Sequence, residues 1–194
     1  MPEITLFVED AAHEAFLRAS VRRVADEYGV SIELRFRSAR GGFSRVLAEL
    51  ERYIKDINRG VEFHPDLLII CTDGNCRGYV ARRQEVEQVL GDYIGTFICA
   101  IPDPHIERWL LLDSGAFKAV LGRGCPAPPR KCERGLFKTM LLKAVSDAGV
   151  MPLLGGIEHT ESIVEALNLE AAARADDSLR RFLLDLRNQF KEWQ

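Results

Sequence analysis

The sequence predicts an α/β protein: a parallel, four-stranded, Rossmann-like sheet flanked by helices, followed by a C-terminal helical extension. Three observations carry that reading. Between Ile4 and Leu111, β-rich apolar runs and helical stripes alternate four times, and strands separated by single helices form a parallel sheet with helices on its faces. The run Leu67-Leu68-Ile69-Ile70-Cys71 is apolar at every position, as a strand covered on both faces must be. The chain has 194 residues, 47% of them hydrophobic, which is enough for one well-filled core and too apolar for a disordered or collagen-like polymer.

The first strand is Ile4-Thr5-Leu6-Phe7-Val8, closed abruptly by Glu9-Asp10. From Ala11 to Tyr28, Phe16, Leu17, Val21, Val24 and Tyr28 recur at helical spacing, and Gly29 stops the helix. From Ser31 to Arg37, Ile32, Leu34 and Phe36 alternate with Glu33, Arg35 and Arg37, the period of a strand with one wet face. Gly41-Gly42 breaks the chain before a second helical stripe of Phe43, Val46, Leu47, Leu50, Ile54 and Ile57. After the Leu67 strand, Asp73-Gly74-Asn75 is turn chemistry, Gly78 to Leu90 a charged third helix, and Tyr93 to Ile101 a fourth strand. Asp103-Pro104 reads as the N-cap and first residue of a helix through Ile106, Trp109 and Leu110. The Ile4 strand is expected beside the Leu67 strand, with the Ser31 strand outside the first and the Tyr93 strand outside the third.

The pattern changes after Leu121. Residues 1–121 form the expected α/β core, and residues 122–194 a basic loop plus a helical cap packed on it within one compact domain. Gly122 to Arg134 is rich in Gly, Pro and basic residues and reads as a loop. Helical patterns follow at 136–148, 161–167 and 178–190, the last with Leu179, Phe182, Leu183, Leu186 and Phe190 on one stripe.

No apolar run reaches the ~20 residues of a membrane helix, and Met1-Pro2-Glu3 opens no secretory signal. Five cysteines, an odd number at irregular spacing, point to reduced thiols and a cytoplasmic protein. Cys71 and Cys99 fall in strand patterns as core thiols, Cys76 lies near the strand ends, and Cys125 and Cys132 lack the second pair that a zinc site needs. The formal charge of -3, from 26 Lys+Arg and 29 Asp+Glu, excludes a uniformly basic nucleic-acid binder. It conceals an uneven distribution, because Lys118 to Lys138 carries six basic residues against Glu133 alone, a net of +5. Arg123, Arg130, Lys131 and Arg134 in this stretch, with Arg77 before the third helix, are the candidate contacts to a phosphate backbone.

In an open parallel sheet, ligands bind at the carboxyl ends of the strands where strand order reverses. Glu9 and Asp10 follow the first strand, Asp73 and Asn75 the third, and Asp103 and Glu107 the fourth. Unpaired carboxylates so close raise one another's pKa or need a cation, and hard oxygen ligands suit Mg²⁺ or Mn²⁺ holding a phosphate. The turn Glu9-Asp10-Ala11-Ala12-His13 has no glycine, which removes the main support for a P-loop or dinucleotide site. A Ser-His-Asp order with a nucleophile elbow is absent too. Some of these residues also have plainer roles. Asp73-Gly74 is a common turn pair, Asp103 reads as a cap and Asp113 as a surface residue. His13 and His105, on helix first turns beside the crevice, read as structural or solvated side chains within reach of a phosphate.

Val8-Glu9-Asp10-Ala11-Ala12-His13-Glu14-Ala15-Phe16-Leu17 resembles the first motif of the Toprim (topoisomerase–primase) domain, in which a strand ends in Val-Glu-Gly and a second acid follows a helical turn later. Asp66 to Arg77, with Asp73-Gly74-Asn75 at the strand end, resembles the second motif, a metal-binding Asp-x-Asp. The stretch from Ile101 to Leu111, with Glu107-Arg108-Trp109-Leu110-Leu111 after its prolines, is similar to a segment of RloB-like and related Toprim proteins found near bacterial defence loci. The resemblance covers residues 1–120 and, more loosely, the helical tail. It departs at three places: Asp10 replaces the glycine, His13 stands at the second-acid position with Glu14 one residue later, and Asn75 replaces the second aspartate.

The resemblance implies divalent-metal-dependent hydrolysis of phosphodiester bonds in DNA or RNA. Mg²⁺ or Mn²⁺ would be held by Glu9, Asp73, Asn75 and Glu107, with Glu9 or Glu14 handling the proton of the attacking water. The loss of charge at Asn75 motivates an alternative, a catalytically weakened Toprim-like binding or effector module acting through a defence-system partner protein. A third class is a small-molecule phosphate-ester enzyme on the same sheet.

Overall fold

In the computed structural model, which describes residues 1–39, 41–133 and 135–194, four strands form a wholly parallel sheet. They are β1 (Glu3–Val8), β2 (Glu33–Ser38), β3 (Leu67–Cys71) and β4 (Phe97–Ala100), in the expected order β2-β1-β3-β4. The register sets Leu6 between Phe36 and Ile69. Side chains alternate across a strand, so Ile4, Leu6, Val8, Leu67, Ile69 and Cys71 bury one face, and Phe7, Leu68, Ile70 and Cys99 the other.

The second face is covered by α2 (Phe43–Asn58) and α3 (Gly78–Leu90), through residues such as Val46, Leu50 and Val86. The first is covered by α1 (Ala11–Glu27), where Phe16, Leu17, Val21 and Val24 are fully buried. Beyond β4 come α4 (Ile106–Leu110) and α5 (Ser114–Leu121), then α6 (Leu136–Asp147), α7 (Thr160–Ala166), α8 (Leu169–Ala175) and α9 (Asp177–Glu192). Phe137, Leu141, Ile163, Phe182 and Phe190 from this C-terminal part enter the same hydrophobic core as β1 and α1. Trp109 joins the two, its indole 5.1 Å from the Phe16 ring and 6.0 Å from the Phe182 ring. Its Nε1–H donates to Ser178 Oγ at 3.0 Å, satisfying the one polar atom that its burial would otherwise orphan.

Arg23 makes a second joint. Its guanidinium donates to Val164 O at 2.6 Å and Leu167 O at 2.8 Å, fastening α1 to the C-terminal end of α7. Arg23→Ala is therefore expected to lower stability by about 1–3 kcal/mol, the range for hydrogen bonds from a charged donor. Urea unfolding measures it, and an unchanged midpoint would show the contact to be idle.

Three expectations need correcting. The fourth strand starts at Phe97 rather than Tyr93, and Ile94 is 91% exposed. Asp103-Pro104 does not open a helix: the peptide is cis and α4 starts at Ile106. The carbonyls of Pro102 and Pro104 accept from Gly74 N (2.7 Å) and Asn75 N (2.9 Å), so this segment pairs with the loop after β3 and cannot be helical. Asp113 is at the surface as expected, where it caps α5 through Gly115 N (2.8 Å) and Ala116 N (3.1 Å) and accepts from Asn168 N at 2.8 Å. The thiols are not all reduced, because Cys76 and Cys132 form a disulfide while Cys71, Cys99 and Cys125 are free and buried. Among the described residues, no helix is long and apolar enough to cross a membrane.

Candidate functional site

The parallel sheet delivers Glu9 and Asp10 from the end of β1 and Asp73 from the end of β3, its hydrogen-bonded neighbour. The site is organised around Asp73, which is 7% exposed. Its Oδ1 lies 3.1 Å from His13 Nε2 and accepts from the Ile106 backbone N–H at 2.9 Å, while Oδ2 lies 3.0 Å from His105 Nδ1. The same carboxylate therefore caps the first turn of α4, a role the sequence suggested for Asp103. Its own backbone N–H donates to Glu9 Oε2 at 3.1 Å.

His13 is fully buried on the first turn of α1 and faces a carboxylate on each nitrogen. Nδ1 is 2.7 Å from Asp10 Oδ1, and Nε2 is bound to Asp73. An imidazole can donate on both sides only as the imidazolium. Burial alone would push its pKa down, but the hydrogen bonds and charges of Asp10 and Asp73 outweigh burial and raise it to about 10. The converse holds for the acids. Burial raises Asp73, yet the hydrogen bonds from His105 and His13 hold its carboxyl well below the usual range. Asp10 is likewise lowered, burial being outweighed by His13. His105 is raised by its bond to Asp73. The result is a hydrogen-bonded chain, Asp10–His13–Asp73–His105, across three strand ends, with the His13 imidazolium set between two carboxylates.

Glu9 is the odd member. Burial and the negative charge of Asp73 push its pKa up by more than the nearby charge of His13 pulls it down. Glu9, His13 and Asp73 each offer a ligand atom, and these atoms all lie within 4.8 Å of one another. The two carboxylates suit Mg²⁺ or Mn²⁺, whereas His13, a donor on both nitrogens, ligates only after losing the proton it gives to Asp73.

The other expected site residues are placed differently. Glu107 is buried on α4 outside that group, with Oε2 unpartnered and Oε1 3.8 Å from Lys138 Nζ. Burial raises its pKa. Asn75 is exposed in a left-handed turn (φ 48°), its amide donating to Asp73 O at 3.5 Å. A Cβ on the neighbouring Gly74 would sit 2.6 Å from Asp103 Oδ1, so a larger residue there would displace the Asp103 side chain. Glu14 forms an ion pair with Arg18 at 2.5 Å and is not part of the cluster.

A separate cleft of about 530 Å³ is lined by Asp103, Pro104 and Arg108 among others, and none of Glu9, His13, Asp73 and His105 lines it. Of the candidate phosphate contacts, Arg77, Arg130 and Lys131 line it, whereas Arg123 lies elsewhere and donates to Asp147 O at 2.9 Å. Arg134 lies outside the described residues. Arg108, Arg174 and Arg181, which no sequence pattern marks as phosphate contacts, also line the cleft. His13 and His105, which read from the sequence as structural or solvated side chains, are the partners of Asp73. Asp10 and His13, three apart on one helical turn, were the available signal.

The fold and this centre define an α/β protein with a buried Glu–His–Asp cluster at the carboxyl edge of a parallel sheet. In comparisons with known protein families, curated proteins and solved structures, the chain matches none.

Proposed function

We propose that the protein is a divalent-metal-dependent phosphodiesterase acting on nucleic acid, a Toprim-like nuclease with Glu9 and Asp73 as its principal metal ligands. One observation carries the reading: Glu9 and Asp73 bring carboxylate oxygens within 4.8 Å of each other at the carboxyl ends of adjacent parallel strands. Bound Mg²⁺ or Mn²⁺ supplies Lewis-acid polarisation of the scissile phosphate and a more acidic water. The chain supplies the rest. Glu9, with a raised pKa, is the carboxylate suited to accept the proton of the attacking water. Asp10 and His105 hold His13 and Asp73 in fixed orientation through bonds of 2.7 and 3.0 Å. Arg77, Arg130 and Lys131, which line the cleft of Asp103 and Pro104, offer cations to the backbone. Asn75 retains a ligating carbonyl without a charge. The resemblance suggests a role in bacterial defence. A cytoplasmic setting makes the Cys76–Cys132 bridge a transient, redox-responsive one.

The test is cleavage of labelled DNA and RNA with Mn²⁺ or Mg²⁺ against EDTA controls, alongside calorimetric titration of each metal. Metal-dependent cleavage with a binding heat supports the reading, and absence of both overturns it. One observation favours the alternative, a binding or effector module acting through a partner protein. Both oxygens of Asp73 already accept from His13, His105 and Ile106 N, so its charge is met by the protein alone. Co-purification of a partner by a protein that binds no metal would decide for the module.

A further inference from the structure

The 530 Å³ cleft is walled by groups that the metal reading does not use. From the basic loop come Arg130 and Lys131, from the end of α8 Arg174, and from α9 Arg181. Among the described residues, none of these four cations has a carboxylate within 4.0 Å. Deeper in the wall, Arg108 is ion-paired with the buried Asp176. Its pKa is lowered by burial and then by the charge of Arg130, so two guanidinium groups are held against each other's repulsion. Asp103, Asp176 and Asp177 also line the cleft, which leaves cations in excess even when Arg77 is set aside with its partner Glu85 at 2.6 Å. Like charges assembled around a cavity are stabilised by an anion between them, and a phosphate matches the guanidinium fork.

What keeps Arg130 and Lys131 there is the next residue. Between Gly122 and Glu133 the chain forms neither helix nor strand. Its start is tied by the bonds of Arg123 to Asp147 O (2.9 Å) and of Cys125 Sγ to Leu111 O (3.6 Å). Among the described residues, 126–132 make no hydrogen bond to the rest of the chain. The Cys76–Cys132 disulfide is their tether, joining the loop to the turn after β3, and both of its cysteines are exposed.

We propose that this cleft binds a phosphate group, and that the Cys76–Cys132 disulfide gates the site by holding the Arg130–Lys131 wall in place. A dithiol reductant opens the gate. Its two thiols give two electrons and two protons to the disulfide, leaving Cys76–SH and Cys132–SH and the reductant as its own disulfide. The phosphate comes either from a polynucleotide backbone or from a free nucleotide or pyrophosphate, and the proposed nuclease reading favours the backbone without being needed for the cleft.

The test is fluorescence anisotropy of a labelled oligonucleotide in EDTA, where no metal-dependent cleavage occurs. Oxidised protein is compared with dithiothreitol-reduced protein, the disulfide state being verified by thiol counting. The expected result is binding about tenfold weaker on reduction, with a salt slope smaller by about 2, since Arg130 and Lys131 would each cease to neutralise one phosphate. A Cys76→Ser/Cys132→Ser variant should bind like reduced protein in either buffer. Arg130→Glu/Lys131→Glu should bind weakly and lose the redox difference while both cysteines remain. Competition by pyrophosphate or ATP separates the sources: displacement at comparable concentration marks a free phosphate ligand, and resistance to it marks the polymer. Equal affinity of verified oxidised and reduced protein overturns the gate, and unchanged affinity in the double glutamate variant, or no binding of any probe, overturns the site. Because binding is read in EDTA, inactive protein that still binds would refute the nuclease reading and leave the cleft standing.

Discussion

His13→Ala is expected to lower the unfolding free energy by about 3–5 kcal/mol, the cost of removing one partner from a buried ion pair. The imidazolium is fully buried and is the one cation shared by Asp10 and Asp73. Without it, Asp73 keeps His105 and the Ile106 N–H, but its charge is no longer balanced on the α1 side. The pH dependence has a definite sign. The folded pKa of His13 is raised from 6.5 to about 10, so its stabilising contribution is complete below 6.5 and is lost as pH rises through about 10. Asp73 and Asp10 are lowered, so their contributions are present above the ordinary carboxylate range and are lost as pH falls through their folded values. The stability gap between wild type and variant is then widest from weakly acidic pH to about 6.5 and narrows on the alkaline side. Urea unfolding in EDTA across that range measures it. A variant as stable as wild type at pH 6.5, or a gap that holds constant up to about pH 10, would refute the imidazolium between two carboxylates.

The sheet was legible because its information is local. Alternating period-2 and period-3.6 patterns identify each strand and helix, and the rules of parallel crossover connection leave little choice of order. Helices α5 and α8 were missed for the same reason. Leu169–Ala175 reads Leu-Glu-Ala-Ala-Ala-Arg-Ala, too short to show a stripe, and its start is marked only by the Asn168 side chain accepting from Ala171 N at 3.0 Å. The site was half legible. The strand-end rule located Glu9 and Asp73, because it follows from topology alone. It could not say that Asp73 would take His13 from 60 residues away and His105 from 32. Nor could it pair Cys76 with Cys132 across 56 residues. Those are facts of tertiary approach, and irregular spacing with an odd cysteine count pointed the other way. Asp103 shows a local rule losing to a distant one: Asp-Pro is sound helix-start chemistry, but the carbonyls on either side of it are committed to Gly74 and Asn75.

The second large effect is on activity. Under the nuclease reading, Glu9→Gln is expected to reduce metal-dependent cleavage by at least about 10²-fold, the upper end of what loss of an outer-shell partner alone costs at a metal site. Glutamine keeps the shape and an oxygen able to accept the Asp73 N–H, now 3.1 Å from Glu9 Oε2. It removes the anionic ligand and the proton acceptor. The fold should not suffer. The pKa of Glu9 is raised, by burial first and by the charge of Asp73 second. Its carboxylate form is thus less comfortable folded than unfolded, and any contribution it makes is lost as pH rises through the folded value. Wherever Glu9 is ionised it works against stability, so the glutamine variant should melt at the same temperature as wild type or higher. Function and stability then move in opposite directions at one atom pair, the signature of a residue held for chemistry. Cleavage assays in Mn²⁺ and thermal melts of the same preparations read both. A variant that cleaves as fast as wild type sinks the metal-hydrolase reading, whereas one that is both inactive and destabilised would make Glu9 a structural acceptor for the Asp73 turn.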